Sequence, residues 1–579
     1  MMYFQTNFIQ INPNYWYMRK KIFNLASGFA LAAMISCSSA NLGAKTANTK
    51  ERPNIIVILA DDLGYSDLGC YGGEIETPNL DSLAANGLRF NSFYNTSRCC
   101  PTRASLLTGV YNHQAGVGEM TTDRKTPGYR GFITPNTITI AEMLKDAGYQ
   151  TAMVGKWHVS NTIEQKDPKA QLRWLSHQEE HPLFSPIEQY PTNRGFDKYF
   201  GNIWGVVNFF DPFSLVNGTT PVKNVPADYY HTDAISDTAV SYIKEFGKNN
   251  KPFFLYVAET APHWPLHALP EDIKKYENMY KVGWDAIREQ RYRKMIRLGL
   301  IDTAKTTFSP RWRDDLKWED NPHKDWDARA MAVHAAMIDR MDQGIGRMLT
   351  ALKETGQMEN TLILFLSDNG ASPENAMQYG IGFDRPGETR SGLAIAYPVN
   401  KDVMPGPETS FTSIGARWAN VSNTPYRLAK AESFEGGVRT PMIAFWPNGI
   451  SVDKGSITGR TGHVMDLMAT FVEISKASYP ETYNGNTIKP LQGKSLVPVF
   501  ADIHTRGHEA LYNEHFGAKY IRYNGWKLVA RNKEDWQLYK IDQDETELIE
   551  VSKQYPEIVK KMEQMWINWA NQNQVVPKP

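Results

Sequence analysis

Four short apolar runs, each followed directly by polar or charged residues, constrain the fold of this 579-residue chain most strongly. They span 54–60, 151–155, 252–257 and 361–366. Continuous apolar runs of this length are typical of strands that are buried on both faces, as in a mainly parallel sheet covered by helices. We therefore predict an α/β fold with a large mixed, mainly parallel sheet flanked by helices.

Chemically active side chains follow all four runs. They include carboxylates, a lysine and histidines: Asp61, Asp62, Lys156, His158, His263, His267, Asp368 and Asn369. In open α/β sheets, ligands bind beyond the carboxyl ends of the strands, so we expect these side chains to converge at one edge. The oxygen ligands among them favour Ca²⁺ or Mg²⁺ over softer metals.

Composition narrows the function without identifying it. Lysine plus arginine (63) equals aspartate plus glutamate (63), so no nucleic acid is expected as a partner. Four cysteines cannot form a disulfide framework in a chain of this length.

The C-terminal part of the chain has its own pattern. The turn Asn524-Gly525 lies between two apolar runs and predicts a hairpin, and a final helix is predicted over 556–570. We place a C-terminal subdomain at 501–579, with an antiparallel sheet plus helix, after a catalytic domain at 52–500.

The segment from Cys99 to Gly109 reads C-x-P-x-R-x-x-x-x-T-G. It resembles the maturation signature of type I sulfatases, in which the first cysteine is oxidised to formylglycine and the hydrated aldehyde is the nucleophile. Spacing from Pro101 and Arg103 selects Cys99 rather than Cys100. The resemblance implies a formylglycine-generating maturation enzyme as a partner.

Two further segments extend the resemblance. Residues 148–158 resemble the second sulfatase signature, and the stretch from 423 to Lys430 resembles a segment whose lysine faces the substrate. The resemblance implies an alkaline-phosphatase-like fold and one Ca²⁺ per chain, held by Asp61, Asp62, Asp368, Asn369 and formylglycine 99. It further implies catalytic roles for Cys99, Arg103, Lys156, His158, His263 and Lys430.

The expected activity is that of a sulfuric ester hydrolase of the arylsulfatase type, releasing sulfate from aryl sulfates or sulfated glycans. Two alternatives stay open at this point. One is a phosphonate or phosphate ester hydrolase on the same fold. The other is an unmodified, non-catalytic lipoprotein that binds sulfated glycans, which would apply if Cys99 were never oxidised.

The N-terminal residues suggest export. A basic segment begins at Met18, the expected true start, and an apolar stretch over 22–35 leads to Ser36-Cys37. This pattern resembles a bacterial lipoprotein signal over 1–37, with Cys37 lipidated and a polar tether over 38–51. We expect an exported protein, anchored by lipid as a periplasmic or outer-membrane lipoprotein; an ordinary cleaved signal is the alternative.

Overall fold

The computed structural model describes residues 52–163, 183–312, 315–379, 385–389, 391–395, 397 and 401–576. The predicted signal, Cys37 and the tether lie outside these residues. Within the described ranges, no helix combines the length and apolar character needed to cross a bilayer.

One large sheet organises the chain, and its strands are numbered here in chain order. They are β1 (Asn54–Ala60), β2 (Leu88–Tyr94), β3 (Gln150–Gly155), β4 (Lys198–Asn202), β5 (Leu215–Asn217), β6 (Thr220–Pro221), β7 (Phe253–Ala258), β8 (Thr361–Ser367), β9 (Arg439–Phe445), β10 (Ser456–Thr458) and β11 (Gly462–His463). The order is β10-β2-β9-β8-β1-β7-β3-β4-β5-β6, with β11 paired to β2. From β8 to β4 the neighbouring strands are parallel, whereas β9 is antiparallel to both β2 and β8. The prediction of a mixed, mainly parallel sheet is confirmed.

Helices cover both faces of this sheet, and the last helix of the chain belongs to the C-terminal unit. They are α1 (Pro78–Asn86), α2 (Cys99–Thr108), α3 (Ile140–Asp146), α4 (His231–Phe246), α5 (Pro270–Tyr276), α6 (Trp284–Arg297), α7 (Lys324–Glu354), α8 (Gly415–Ser422), α9 (Glu435–Val438), α10 (Asp466–Ser475) and α11 (Pro556–Gln572). The packing of β1 on both faces explains why its residues are apolar throughout. Ile56 and Ile58 belong to the core that contains α4 and α7, whereas Val57 and Leu59 belong to the core that contains α2 and α10. Successive residues of a strand point to opposite faces, so both sets must be apolar.

A second, antiparallel sheet lies near the C-terminus. Its strands are β14 (Ala510–His515), β15 (Ala518–Tyr523), β16 (Trp526–Ala530) and β17 (Gln537–Tyr539), after a short ribbon of β12 (Thr482–Tyr483) and β13 (Asn486–Thr487). Asn524 and Gly525 both have positive φ angles, 47° and 78°, as a two-residue turn between twisted strands requires. Helix α11 contributes Met562 and Trp566 to the core under this sheet. The predicted sheet-plus-helix unit is confirmed, while its boundary at residue 501 stays a prediction.

Candidate active site

The carboxyl ends of four adjacent strands bring the predicted residues together. Asp61 and Asp62 follow β1, and Asp368 and Asn369 follow its parallel neighbour β8. On the other side of β1, the loop after β7 carries His263, and Lys156 directly follows β3. Each of these side chains is buried. Their convergence follows from the strand order, because parallel neighbours end at the same edge.

Cations face the carboxylates across this edge. The Lys156 Nζ atom lies 2.5 Å from Asp61 Oδ2, and the Arg103 Nη2 atom lies 2.9 Å from Asp368 Oδ2. A third pair joins Lys430 Nζ to Asp62 Oδ1 at 2.8 Å. The site therefore contains three buried positive side chains, each in contact with a carboxylate.

Two oxygen atoms of this cluster have no hydrogen-bond partner among the residues that the structure describes. Asp61 Oδ1 and Asn369 Oδ1 are buried and accept no hydrogen bond from any described residue. Burial, followed by the charge of Asp368, raises the pKa of Asp61. Burial also raises the pKa of Asp368 despite the nearby Arg103. Such a set of close carboxylates with unused oxygens is suited to a hard divalent cation.

Cys99 begins helix α2 beside His158. The ligand atoms of Cys99, Cys100 and His158 all lie within 4.8 Å of one another. A hydrogen bond with Cys100 lowers the pKa of the Cys99 thiol, and the neighbouring His158 and Lys156 lower it further. Burial lowers the pKa of His158 to about 4, so this imidazole is neutral at pH 7.

His263 and Lys430 form a pair above Asp62. Lys430 Nζ lies 3.2 Å from His263 Nε2, which in turn lies 3.5 Å from Asp62 Oδ2. Burial lowers the pKa of His263. Burial alone would also lower the pKa of Lys430, yet the charges of Asp62 and Glu374 raise it. The lysine therefore carries the proton of this pair at neutral pH.

The structure distinguishes His263 from the nearby His267. The His267 ring lies between backbone groups: Nε2 is 2.8 Å from the Ser410 carbonyl, and Nδ1 accepts from the Phe209 amide. His113 is held at 3.0 Å from Glu514, outside the carboxylate cluster. Trp418 packs in the core against Trp284 and Trp318 and lies away from the carboxylate cluster.

Sequence reasoning missed three residues at the site. Glu374 accepts a hydrogen bond from Trp264 Nε1 at 2.8 Å and pairs with Arg98 at 2.9 Å. Gly205 lies against the His158 ring. Neither Glu374 nor Gly205 belongs to a periodic segment or a motif, so no local signal marked them. Arg98 directly precedes Cys99 and lies outside the motif that begins there.

The fold and the edge cluster define a hydrolase of the alkaline-phosphatase-like class. The sulfatase family model matches residues 53–477, and a family model described as "N-sulphoglucosamine sulphohydrolase, C-terminal" matches residues 428–572. The chain belongs to the sulfatase family and is a sulfuric ester hydrolase.

Relatives and solved structures agree with this assignment. An uncharacterized sulfatase of Schizosaccharomyces pombe is 32% identical, covering 92% of this chain and 96% of the relative. An arylsulfatase of Klebsiella aerogenes is 34% identical, covering 81% of this chain and 96% of the relative. The crystal structure of Ps i-CgsB superposes with a TM-score of 0.62 at 26% identity, covering 91% of this chain and 94% of that one.

A phosphonate monoester hydrolase of Agrobacterium radiobacter superposes with a TM-score of 0.50 at 18% identity, covering 90% of this chain and 96% of that one. This likeness shows the shared fold alone. The phosphonate hydrolase alternative therefore gains no support beyond the shared fold. The non-catalytic alternative is disfavoured because the chain belongs to a family of enzymes.

Proposed function

We propose that this sulfatase uses formylglycine formed from Cys99, together with one Ca²⁺, to release sulfate from sulfated glycans and aryl sulfates. The observation that carries the proposal is the position of Cys99. It starts α2 at the edge where the carboxylates, His158 and the buried cations meet. Oxidation of this thiol would supply an aldehyde whose hydrate has a hydroxyl able to attack sulfur.

The residues present fit a calcium ion. Asp61, Asp62, Asp368 and Asn369 offer only oxygen ligands, and two of those oxygens have no partner among the described residues. Residue 99 is the proposed fifth ligand. A bound Ca²⁺ would supply positive charge that offsets the charge of the sulfate ester.

Lys156 and Lys430 are proposed to bind the sulfate oxygens, and Arg103 is proposed to stabilise the attacking hydroxyl of residue 99. All three side chains are buried, so each interacts strongly with the negative charge that it faces. Arg103 is held on two sides, because its Nε and Nη2 atoms donate to Asp368 while its Nη1 atom donates to the Lys156 carbonyl. This fixes the guanidinium without a substrate present.

Proton transfer is assigned to the two histidines. The neutral His158 is placed to accept a proton at residue 99. His263 and Lys430 together deliver a proton to the leaving oxygen, since the lysine holds the proton and lies within hydrogen-bond reach of the imidazole. An alcohol released from a sugar is a poor leaving group and requires this proton.

Sulfated carbohydrate is the proposed natural substrate class. One related structure is a complex of Ps i-CgsB with k-i-k-neocarrahexaose. N-acetylgalactosamine-6-sulfatases of mammals are 26 to 28% identical to this chain. We extend a glycan substrate to this chain from these relatives, and aryl sulfates serve as assay compounds.

Export with a lipid anchor at Cys37 is also proposed, supported by the basic and apolar segments that precede this residue. Labelling cells with a radioactive fatty acid tests it. Wild type should carry label and Cys37→Ala should not. Equal labelling of both would reject the anchor at this position.

The central test replaces Cys99 by alanine and measures sulfate release from an aryl sulfate, with mass spectrometry of the peptide that contains residue 99. Wild type should show the loss of sulfur that accompanies conversion to the aldehyde, and Cys99→Ala should lack turnover. Turnover near the wild-type rate in Cys99→Ala would falsify the assignment.

A further inference from the structure

Glu374 joins three elements of the site entrance through one carboxylate. Its Oε1 atom lies 2.9 Å from Arg98 Nη2, and its Oε2 atom accepts from Trp264 Nε1 at 2.8 Å. The same Oε2 atom lies 3.5 Å from Lys430 Nζ. The side chain of Glu374 is 18% exposed, so it lies between the buried cluster and solvent. It comes from the irregular segment after Asn369.

The contacts of Lys430 show why this carboxylate matters. Within the described residues, Lys430 has two carboxylate neighbours, Asp62 at 2.8 Å and Glu374 at 3.5 Å. Asp62 is a proposed ligand of the metal ion, so a divalent cation bound there would compete with Lys430 for the carboxylate oxygens of Asp62. Glu374 is the remaining carboxylate that offsets the charge of Lys430 and directs its ammonium group.

Arg98 connects the same carboxylate to the nucleophile. It is the N-cap residue of α2, directly before Cys99, and its ion pair with Glu374 restrains the start of this helix. Glu374 thus contacts Arg98, which is next to the proposed nucleophile, and Lys430, which is proposed to assist protonation of the leaving oxygen. The carboxylate also accepts hydrogen bonds from Trp264 Nε1 and from Ser372 Oγ, so loss of the tryptophan N–H alone leaves Ser372 and both ion pairs to hold it.

We infer that Glu374 is a positioning residue of the sulfatase reaction, which holds Lys430 where it assists departure of the leaving oxygen. The inference rests on the role proposed above for the pair of Lys430 and His263. Glu374 acts through Lys430 and is not itself a proton donor in this account. The contribution of Glu374 to kcat/KM should therefore grow as the leaving group becomes poorer.

The test compares Glu374→Gln with wild type on two aryl sulfates. 4-Nitrophenyl sulfate has a good leaving group, and 4-methylphenyl sulfate has a poor one. Glutamine keeps the shape and an acceptor for Trp264 but removes the charge that faces Lys430 and Arg98. We expect kcat/KM for 4-methylphenyl sulfate to fall by about 10-fold or more, and that for 4-nitrophenyl sulfate to change by less than about 3-fold.

The ratio of the two kcat/KM values is the decisive readout, because it does not depend on the fraction of enzyme carrying formylglycine. A matched control is Glu142→Gln, which alters another Arg–carboxylate pair, with Arg194 at 2.9 Å, away from the site. The control should keep the wild-type ratio. A second variant, Trp264→Phe, should also keep it, since it removes the ring N–H without changing charge.

Each remaining outcome overturns the inference. An unchanged ratio in Glu374→Gln, with or without an equal fall on both substrates, reduces Glu374 to a structural role. The same ratio change in Trp264→Phe assigns the effect to the tryptophan. If wild type cleaves both substrates while Cys99→Ala or Lys430→Ala remains fully active, the proposed function has failed rather than the role of Glu374 alone.

Discussion

Gly205 lies directly against the imidazole of His158: a Cβ atom at position 205 would come within 2.1 Å of His158 Cε1. The backbone amide of His158 donates a hydrogen bond to the carbonyl oxygen of Ile203, which lies two residues before Gly205 in the loop after β4. His158 itself has a positive φ angle of 54°. The loop after β4 therefore sets both the backbone and the ring of a proposed proton acceptor.

The first prediction concerns this contact. Gly205→Ala should displace the His158 ring and lower kcat by about 10²-fold or more, because misplacement of a general base by about 1 Å is enough for such a loss. Steady-state kinetics on 4-nitrophenyl sulfate measures it. Gly459→Ala is a control, since the nearest described atom to a Cβ there, Asn91 Oδ1, is 3.9 Å away and the backbone is not in the left-handed region. Wild-type kcat in Gly205→Ala would contradict the proposed role of His158.

The second prediction concerns the metal ion. Removal of calcium with a chelator should lower both activity and the melting temperature, because the close carboxylates of Asp61, Asp62 and Asp368 lose the charge that offsets them. Re-addition of Ca²⁺ should restore both. Differential scanning calorimetry at several Ca²⁺ concentrations measures the shift. Asp61→Asn should reduce this dependence, and a melting temperature insensitive to Ca²⁺ in wild type would reject the site.

The third prediction separates the adjacent cysteines and tests Arg103. Arg103→Ala should lose about 10²-fold or more in kcat/KM, since it removes the buried cation that is held by Asp368 and is proposed to stabilise the attacking hydroxyl of residue 99. Cys100→Ala should retain much of the activity, because Cys100 is proposed only as a neighbour of Cys99. Both values are to be normalised to formylglycine content. Loss of conversion in Cys100→Ala would show that this thiol is part of the maturation signal.

The fourth prediction concerns stability as a function of pH. Glu259 follows β7 and is fully buried, and neither of its carboxylate oxygens has a hydrogen-bond partner in the described part of the chain. Burial raises the pKa of Glu259 from 4.5 to about 8. The folded state therefore holds this proton more tightly than the unfolded state, and its stability falls as pH rises from about 4.5 to 8.

Glu259→Gln should remove this penalty. The variant should be more stable than wild type at pH 8 by on the order of 2 kcal/mol, with a smaller difference at pH 5. Urea unfolding at the two pH values measures it. Glu245→Gln, on the exposed part of α4 with a Lys198 partner, is a control that should show no such pH dependence. A difference independent of pH would mean that the pKa of Glu259 is the same in the folded and unfolded states, which would contradict the prediction.

The sequence predicted the part of the site that depends on strand ends. Asp61, Lys156 and Asp368 could be placed together because uninterrupted apolar strands of a parallel sheet finish at one edge. Cys99 and Arg103 were placed by a motif with fixed spacing. Both kinds of signal are local in the chain, so a single sequence contains them.

The remaining residues depend on long-range contacts. Glu374 meets Arg98 across 276 positions of sequence, and its own segment has no helical or strand period. A glycine is needed at position 205 because the ring of His158, 47 positions earlier in the chain, occupies the space of a side chain. No sequence pattern near Gly205 indicates this contact. The sequence alone does not show whether Trp418 faces a ligand or the core, and only its packing against Trp284 and Trp318 identifies it as a core residue.

The burial of Cys99 limits when the proposed oxidation of its thiol could take place. Only 2% of its surface is exposed in the folded chain, with α2 already seated on the sheet. An enzyme that carried out the proposed conversion of Cys99 to formylglycine would have to reach this thiol. We therefore expect conversion before α2 docks on the sheet, so that the order of events during biosynthesis would decide whether the proposed nucleophile forms.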